Sequence, residues 1–140
     1  TKDLLTNVLA YHPFLIKPHN HVLGEIFSTL LTTRKEVIPY AEKLRAQGAA
    51  NVLVSMAGEG AVLAAADGRI YTAPAPKGVL VNGVGAGDSM VAGFLAGWLE
   101  QKDYSHAFYM GISAGSASAF SDYLATEEEI RTVYRTMKEE

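Results

Sequence analysis

Cysteine is absent from the 140 residues of the chain. Its absence excludes disulfide bonds, thiolate zinc sites and cysteine nucleophiles, and it is consistent with a reducing compartment, so we expect a cytoplasmic protein. A basic surplus is also lacking, because 12 Lys and Arg stand against 15 Asp and Glu, for a formal net charge of -3. Since the basic residues are scattered rather than clustered, we expect no nucleic-acid partner.

A long uncharged hydrophobic segment is lacking as well. The stretch from Gly78 to Leu99 comes nearest, but Asp88 interrupts it and its first half is rich in glycine. We therefore predict no membrane span and no membrane partner. The first nine residues carry two early charges and no small-residue cleavage site, so we expect no signal peptide.

Short apolar runs alternate with helical patterns along the chain. We predict a strand at 14–17, a helix at 33–47, a strand at 51–55 and a hairpin of strands 61–66 and 69–73. A strand at 79–81 and three helices, at 88–101, 104–121 and 126 onward, follow. This order predicts an α/β fold with a largely parallel sheet, to which the Asp67-Gly68 hairpin adds antiparallel strands. A buried strand so near the start needs neighbours, so we expect one incomplete domain over residues 1–140.

Glycines alternate at Gly83, Gly85 and Gly87, directly before a long apolar helix. Glycine lets backbone N–H groups turn outward, and a helix N-terminus adds the positive end of its dipole, so this turn suits a phosphate. Asp88 falls in the first turn of the helix. From residue types alone, capping of the helix and general-base catalysis are equally good interpretations of this carboxylate.

Two better-known phosphate loops are excluded. No Gly-Lys-Ser or Gly-Lys-Thr occurs, so the chain has no P-loop. The dinucleotide fingerprint fails because Asp88 occupies the place of its third glycine.

The segment Asn82-Gly-Val-Gly-Ala-Gly-Asp-Ser-Met-Val-Ala-Gly-Phe94 closely resembles the C-terminal signature of the PfkB (ribokinase-like) carbohydrate kinases. The resemblance implies the C-terminal part of a three-layer α/β/α sandwich that uses ATP and Mg²⁺. It also implies that Gly85, Ala86 and Gly87 form an anion hole and that Asp88 deprotonates the acceptor hydroxyl.

The continuation Gly87-Asp-Ser-Met-Val-Ala-Gly-Phe94 is most similar to the 1-phosphofructokinase and tagatose-6-phosphate kinase branch of that family. The resemblance thus implies a phosphotransferase that acts on a sugar phosphate, first of all fructose 1-phosphate. It also implies a homodimer formed through a lid that belongs, with most sugar contacts, to an N-terminal half lacking here. We expect residues 1–140 alone to be poorly active.

A second segment, Ser55-Met-Ala-Gly-Glu-Gly-Ala61, follows a predicted strand. From the residues alone, a tight turn into the hairpin is a better interpretation of this segment than a ligand-binding loop. The segment resembles the family's Ser-Leu-Gly-x-x-Gly-Ala loop, which lines the ATP site. Ala57 replaces the first glycine of that pattern. Nucleotide binding tolerates this change if the backbone at position 57 needs no positive φ. The resemblance implies that the nucleotide is bound by Ser55, Met56, Ala57, Gly58, Glu59, Gly60, Gly87 and Asp88. It adds Ser113 and Ser116 from a helix rich in small residues, most of which we interpret as residues of close helix packing.

The segment Lys17-Pro-His-Asn-His-Val-Leu23 departs from the family pattern Lys-Pro-Asn-x-x-Glu-Leu. His19 falls on the asparagine and Val22 on the glutamate, the two side chains that organise magnesium and phosphate in the family. Three histidines near this segment have no convincing spacing for a metal site, so we assign no metal ligand. Two alternatives to a kinase therefore stay open: a nucleotide-binding protein without turnover, and a different enzyme that binds an anionic metabolite.

Overall fold

The computed structural model describes residues 7–76, 86–119 and 126–139. Contacts within the chain group it into two units, Thr1–Pro74 and Ala75–Glu140. The prediction of a single domain stays a prediction, and each unit is described by itself. The predicted strand 79–81 and the glycines at 83 and 85 lie outside the described residues.

The first unit contains a four-stranded sheet whose strands lie in chain order. They are β1 (Leu15–Ile16), β2 (Asn51–Ser55), β3 (Ala61–Ala64) and β4 (Ile70–Ala73). Strands β1 and β2 are parallel, whereas β2–β3 and β3–β4 are antiparallel. The hairpin prediction is confirmed. Over the described residues the sheet is mixed rather than largely parallel, because the hairpin supplies two of its four strands.

Two helices of the first unit lie between β1 and β2 in the sequence: α1 (Asn20–Ile26) and α2 (Arg34–Ala46). A capping box starts α2, since Thr33 accepts a hydrogen bond from the N–H of Glu36 while the Glu36 side chain accepts from the N–H of Thr33. The helix buries Val37, Ala41 and Leu44 in the core formed with β2 and β3. Strands β2 and β3 are buried on both faces, which explains their continuous apolar sequences.

One buried polar side chain joins the segments around this core. The Asn51 amide donates to the carbonyl oxygen of Phe14 at 3.0 Å and accepts from the N–H of Ala66 at 2.8 Å. Asn51 is fully buried, so both bonds offset the cost of removing its amide from water. It therefore connects the start of β1, the start of β2 and the hairpin turn.

The second unit is helical over its described residues: α3 (Ala86–Gln101), α4 (Tyr104–Ala119) and α5 (Glu127–Glu139). Helices α3 and α4 approach closely because small residues face each other. A Cβ on Gly93 would lie 2.6 Å from the Cβ of Ala114 and 2.7 Å from the carbonyl oxygen of Met110. No helix in the described parts of the chain has the length and apolarity needed to cross a membrane.

Helix α5 begins at a capping box, in which the N–H of Thr126 donates to Glu129 at 2.9 Å and the N–H of Glu129 donates to Thr126 at 3.2 Å. Polar contacts hold α5 against its neighbours. Arg131 donates twice to the Glu100 carboxylate of α3, at 2.7 and 3.2 Å. The ring of His106 lies between two further partners. Its Nε2 is 2.8 Å from Glu100 Oε1, and its Nδ1 is 2.9 Å from the Tyr134 hydroxyl oxygen.

This network makes the stability of the second unit depend on pH. The hydrogen bonds from Arg131 and then His106 lower the pKa of Glu100 to about 2 in the folded chain, from 4.5 for the free side chain. Because the folded pKa is the lower one, the stabilisation is complete above pH 4.5 and is lost as the pH falls toward 2. We expect urea midpoints at pH 7, 4 and 3 to decrease in that order, and Glu100→Gln to reduce the decrease.

The matched control is Glu42→Gln, which removes an exposed carboxylate from α2. In this variant, the urea midpoint should decrease between pH 7 and pH 3 as much as it does in the wild type. An equal flattening of the curve by both substitutions would show that Glu100 has no special part in it.

Candidate functional site

The carboxyl ends of β1 and β2 lie side by side at one edge of the sheet. The N–H of Ser55 donates to the carbonyl oxygen of Pro18 at 3.1 Å, and an isolated parallel bridge joins His19 to Ser55. The Lys17–His19 segment and the loop that begins at Ser55 are therefore neighbours. Ligands of open α/β sheets bind at this edge.

The loop after β2 is a tight 3₁₀ turn over Ala57–Glu59. The N–H of Met56 donates to the carbonyl oxygen of Gly60 at 2.9 Å, and the N–H of Gly60 donates to Ala57 at 3.0 Å. Met56 is buried in the core and holds the turn in place, whereas Ala57, Gly58 and Glu59 are exposed at its tip. A Cβ on Gly58 would meet no atom within 4 Å, so the tip is open to a ligand.

Gly60, the second glycine of the loop, is explained by the fold. Gly60 has φ +105°, and a Cβ there would lie 2.0 Å from the carbonyl oxygen of Ala73. Glycine is thus required at position 60 for the loop to close against the end of β4, whatever the loop binds. Its presence in the sequence does not by itself indicate a ligand.

Ala57 adopts a left-handed conformation, with φ +49°. An L-residue in this region costs about 1–2 kcal/mol relative to the right-handed region. The condition that would make alanine harmless here, a backbone without positive φ, is therefore not met. The chain holds a strained alanine where the family pattern has glycine.

A charged side chain that the sequence did not single out lies near the turn. The Arg34 Nε is 3.8 Å from Glu59 Oε1, and both side chains are partly exposed. With Thr33, Lys35, Ile38 and Thr72 they line a surface cleft of about 330 Å³. An exposed pair at this distance contributes little to stability. No local pattern could have found it, because 25 residues separate the partners.

The segment after β1 does not restore the side chains that the family pattern expects. His19 caps α1, since its Nδ1 accepts from the N–H of His21 at 3.3 Å. Burial, together with the charges of His21 and Lys17, lowers the pKa of His19. Within residues 7–76, 86–119 and 126–139, no group of three or more His, Cys, Asp or Glu is placed to hold a metal ion.

The second unit carries the glycine turn and its aspartate. Asp88 lies in the first turn of α3 with its side chain exposed, after the half-buried Ala86 and Gly87, whereas Gly85 is outside the described residues. Helix α4 holds this end of α3 in place. A Cβ on Gly115 would lie 3.1 Å from the carbonyl oxygen of Ala86. The start of α3 is thus a fixed helix N-terminus with an exposed carboxylate.

The serines of α4 have different surroundings. Ser113 is fully buried, and its hydroxyl donates to the carbonyl oxygen of Tyr109 at 2.6 Å and lies 3.7 Å from the Met137 sulfur of α5. These contacts explain Ser113 as a packing residue. Ser116 is half-buried and stays a candidate for nucleotide binding. Ser118, which the sequence analysis did not select, donates to Ser89 at 2.9 Å and adds to the hold on α3.

Comparison with known proteins identifies the family. Residues 1–130 match the pfkB family of carbohydrate kinases. The chain belongs to this family. The predicted PfkB resemblance is confirmed, and the turn that contains Asp88 falls within the matched residues.

Individual pfkB proteins resemble the chain along most of its length. The 1-phosphofructokinase of Bacillus subtilis is 52% identical over 97% of the chain and 45% of its own length. The D-tagatose-1-phosphate kinase of Bacillus licheniformis is 35% identical over 86% of the chain and 40% of its own length. The crystal structure of Escherichia coli phosphofructokinase-2 matches 99% of the chain and 46% of its own chain, with a TM-score of 0.88 at 24% identity.

The fold is therefore the ribokinase-like α/β fold, as predicted. The chain spans less than half the length of these two curated pfkB relatives. The two candidate segments that this pfkB chain contains, the Ser55–Gly60 loop and the Asp88 turn, belong to different units.

The strained alanine offers a direct test of the loop geometry. Ala57→Gly removes the left-handed strain, but it adds about 0.4–1 kcal/mol of chain entropy to the unfolded state. The strain is the larger of the two effects, so we expect the free energy of unfolding to rise by about 0.5–1 kcal/mol in urea denaturation.

Ala66→Gly is the matched control, because Ala66 is exposed and is not among the residues with positive φ. This control should lower the free energy of unfolding by about 0.5 kcal/mol through the entropy of the unfolded chain. If both substitutions destabilise the protein equally, position 57 is not left-handed.

Proposed function

We propose that this chain provides the catalytic base and the nucleotide loop of an ATP-dependent sugar-phosphate kinase. The preferred reaction converts fructose 1-phosphate to fructose 1,6-bisphosphate. The observation that carries the proposal is the 52% identity to a 1-phosphofructokinase. That match covers 97% of the chain and so includes both the Ser55–Gly60 loop and Asp88.

Asp88 is proposed to be the general base. Its exposed carboxylate takes the proton of the acceptor hydroxyl while the oxygen of that hydroxyl forms a bond to the terminal phosphorus and ADP leaves. The N–H groups of Gly85, Ala86 and Gly87, with the positive end of α3, stabilise the charge on the transferred group. Helix α4 supports this role, because it holds the start of α3 at Gly115 and Ser118.

ATP is proposed to lie along the exposed tip of the turn after β2. Ala57, Gly58 and Glu59 present backbone there with little side-chain hindrance, and Ser55 and Met56 connect the turn to the sheet edge. Mg²⁺ belongs to the proposal as the ion that neutralises the phosphates of ATP. A homodimer, a cytoplasmic location and the absence of a nucleic-acid partner complete it.

Two alternatives have specific support. A tagatose phosphate is the second choice of substrate. The sequence pattern favours tagatose 6-phosphate, whereas a relative at 35% identity is named a D-tagatose-1-phosphate kinase. A nucleotide-binding protein without turnover is the second choice of function, because His19 and Val22 replace the asparagine and glutamate of the family pattern.

Replacement of the base separates catalysis from binding. In the full-length enzyme, Asp88→Asn should lower kcat by about 100- to 10,000-fold, the usual contribution of a general base. The KM for ATP should change little, because the proton transfer occurs only in the chemical step. The matched control is Asp103→Asn, which removes a carboxylate that accepts from the N–H of Ser105 at the start of α4. A kcat near the wild-type value for Asp88→Asn would reduce this residue to a helix-start role.

The choice of substrate is tested by ADP release from the full-length protein with ATP and Mg²⁺. Fructose 1-phosphate, fructose 6-phosphate, tagatose 1-phosphate, tagatose 6-phosphate and no sugar are compared. We expect the highest kcat/KM with fructose 1-phosphate. Binding of ATP without ADP release for any sugar would favour the protein without turnover.

A further inference from the structure

The pfkB family implies a magnesium ion near the end of β1, and the structure shows whether the side chains of this chain fit it. Mg²⁺ requires oxygen ligands in near-octahedral geometry, often including one or two carboxylates. Residues 17–26 are described completely, so each side chain that could take this role has a defined place.

Position 19 does not provide an oxygen. The side chain is an imidazole, and its Nδ1 is engaged as the helix cap of α1, where it accepts from the N–H of His21 at 3.3 Å. The rings of His19 and His21 also lie against each other, with centroids 4.9 Å apart. His19 is therefore committed to starting α1.

The neighbouring polar side chains do not replace the missing pair. Val22 has a hydrocarbon side chain. Asn20 is buried, and its amide donates to the carbonyl oxygen of Leu31 at 2.7 Å, which connects α1 to the segment before α2. Glu25 is exposed one turn later in the helix. Positions 19–22 thus provide no carboxylate for magnesium, and Glu25 does not lie at the position of the family's glutamate.

We propose that the end of β1 contributes no ligand to a divalent cation in this chain, and that His19 and Asn20 serve to start and anchor α1. The inference rests on the proposed function in one respect: magnesium then enters the site bound to the nucleotide phosphates alone. The protein should bind ATP with little dependence on magnesium.

The helix start offers a substitution that the fold tolerates. Position 19 is the N-cap of α1 and position 22 is N3, the two positions of a capping box. Asparagine is among the best N-cap residues, and Glu or Gln at N3 bonds back to the N-cap N–H. H19N/V22E therefore restores the family pair and completes the box. H19N/V22Q completes the same box without a carboxylate, which makes it the matched control.

The test measures ATP binding by isothermal titration calorimetry on the full-length protein, with and without Mg²⁺. For the wild type and H19N/V22Q, we expect the two dissociation constants to agree within about threefold, since neither protein carries a carboxylate at position 22 to favour the metal complex. For H19N/V22E, we expect binding to the magnesium complex to tighten by about 10- to 100-fold, the range by which side chains around a metal change its affinity.

Two results would overturn the inference. One is a wild-type preference for the magnesium complex as large as that of H19N/V22E. The other is an equal gain in H19N/V22E and H19N/V22Q, which would assign the effect to the helix cap rather than to the carboxylate. Circular dichroism of the three proteins verifies that α1 and its surroundings remain folded.

A second measurement keeps this inference separate from the proposed function. If no variant binds ATP in either form, the proposed function fails, and Mn²⁺ titration of the nucleotide-free protein by electron paramagnetic resonance decides the metal question. Binding of Mn²⁺ that His19→Ala abolishes contradicts the inference. Binding that is undetectable, or unchanged by His19→Ala, supports it.

Discussion

The parallel pairing of β1 with β2 is the interaction on which the first unit depends. β2 is buried on both faces and pairs with β1 on one side and β3 on the other, so its position in the core is determined from both sides. Because parallel strands end at the same edge, the segment at His19 and the loop at Ser55 become neighbours although they are 36 positions apart in the sequence. The Asn51 side chain reinforces this arrangement at the opposite ends of the two strands.

In the second unit, the arrangement depends on glycines at the contact between α3 and α4. Gly93, Gly111 and Gly115 let α3 and α4 approach until backbone atoms of one helix nearly touch the other. The start of α3 is thereby held by a partner helix. For Asp88 in its proposed role, this support matters more than local helix propensity, since a base must be held within hydrogen-bond reach of its substrate.

Several residues of the family pattern have a structural explanation in this fold. Gly60 is required for the loop to close, and Ser113 packs between α4 and α5. A motif residue can thus be retained for folding and for function together, and only geometry separates the two. Asp88 and the tip around Gly58 stand apart from these residues, because both are exposed and neither is needed to fill space in the described structure.

The sequence by itself determined the hairpin, the boundaries of the long helices, the start of the last helix at Thr126, and the family. These features depend on hydrophobic periodicity and on residues close together in the chain, which a linear pattern records. Only the tertiary structure decided the parallel bridge between His19 and Ser55, the left-handed backbone at Ala57 and the contact of Ser89 with Ser118. Each of these depends on atoms brought together from distant segments, or on a backbone angle imposed by the closure of a loop, and neither leaves a signature in local sequence.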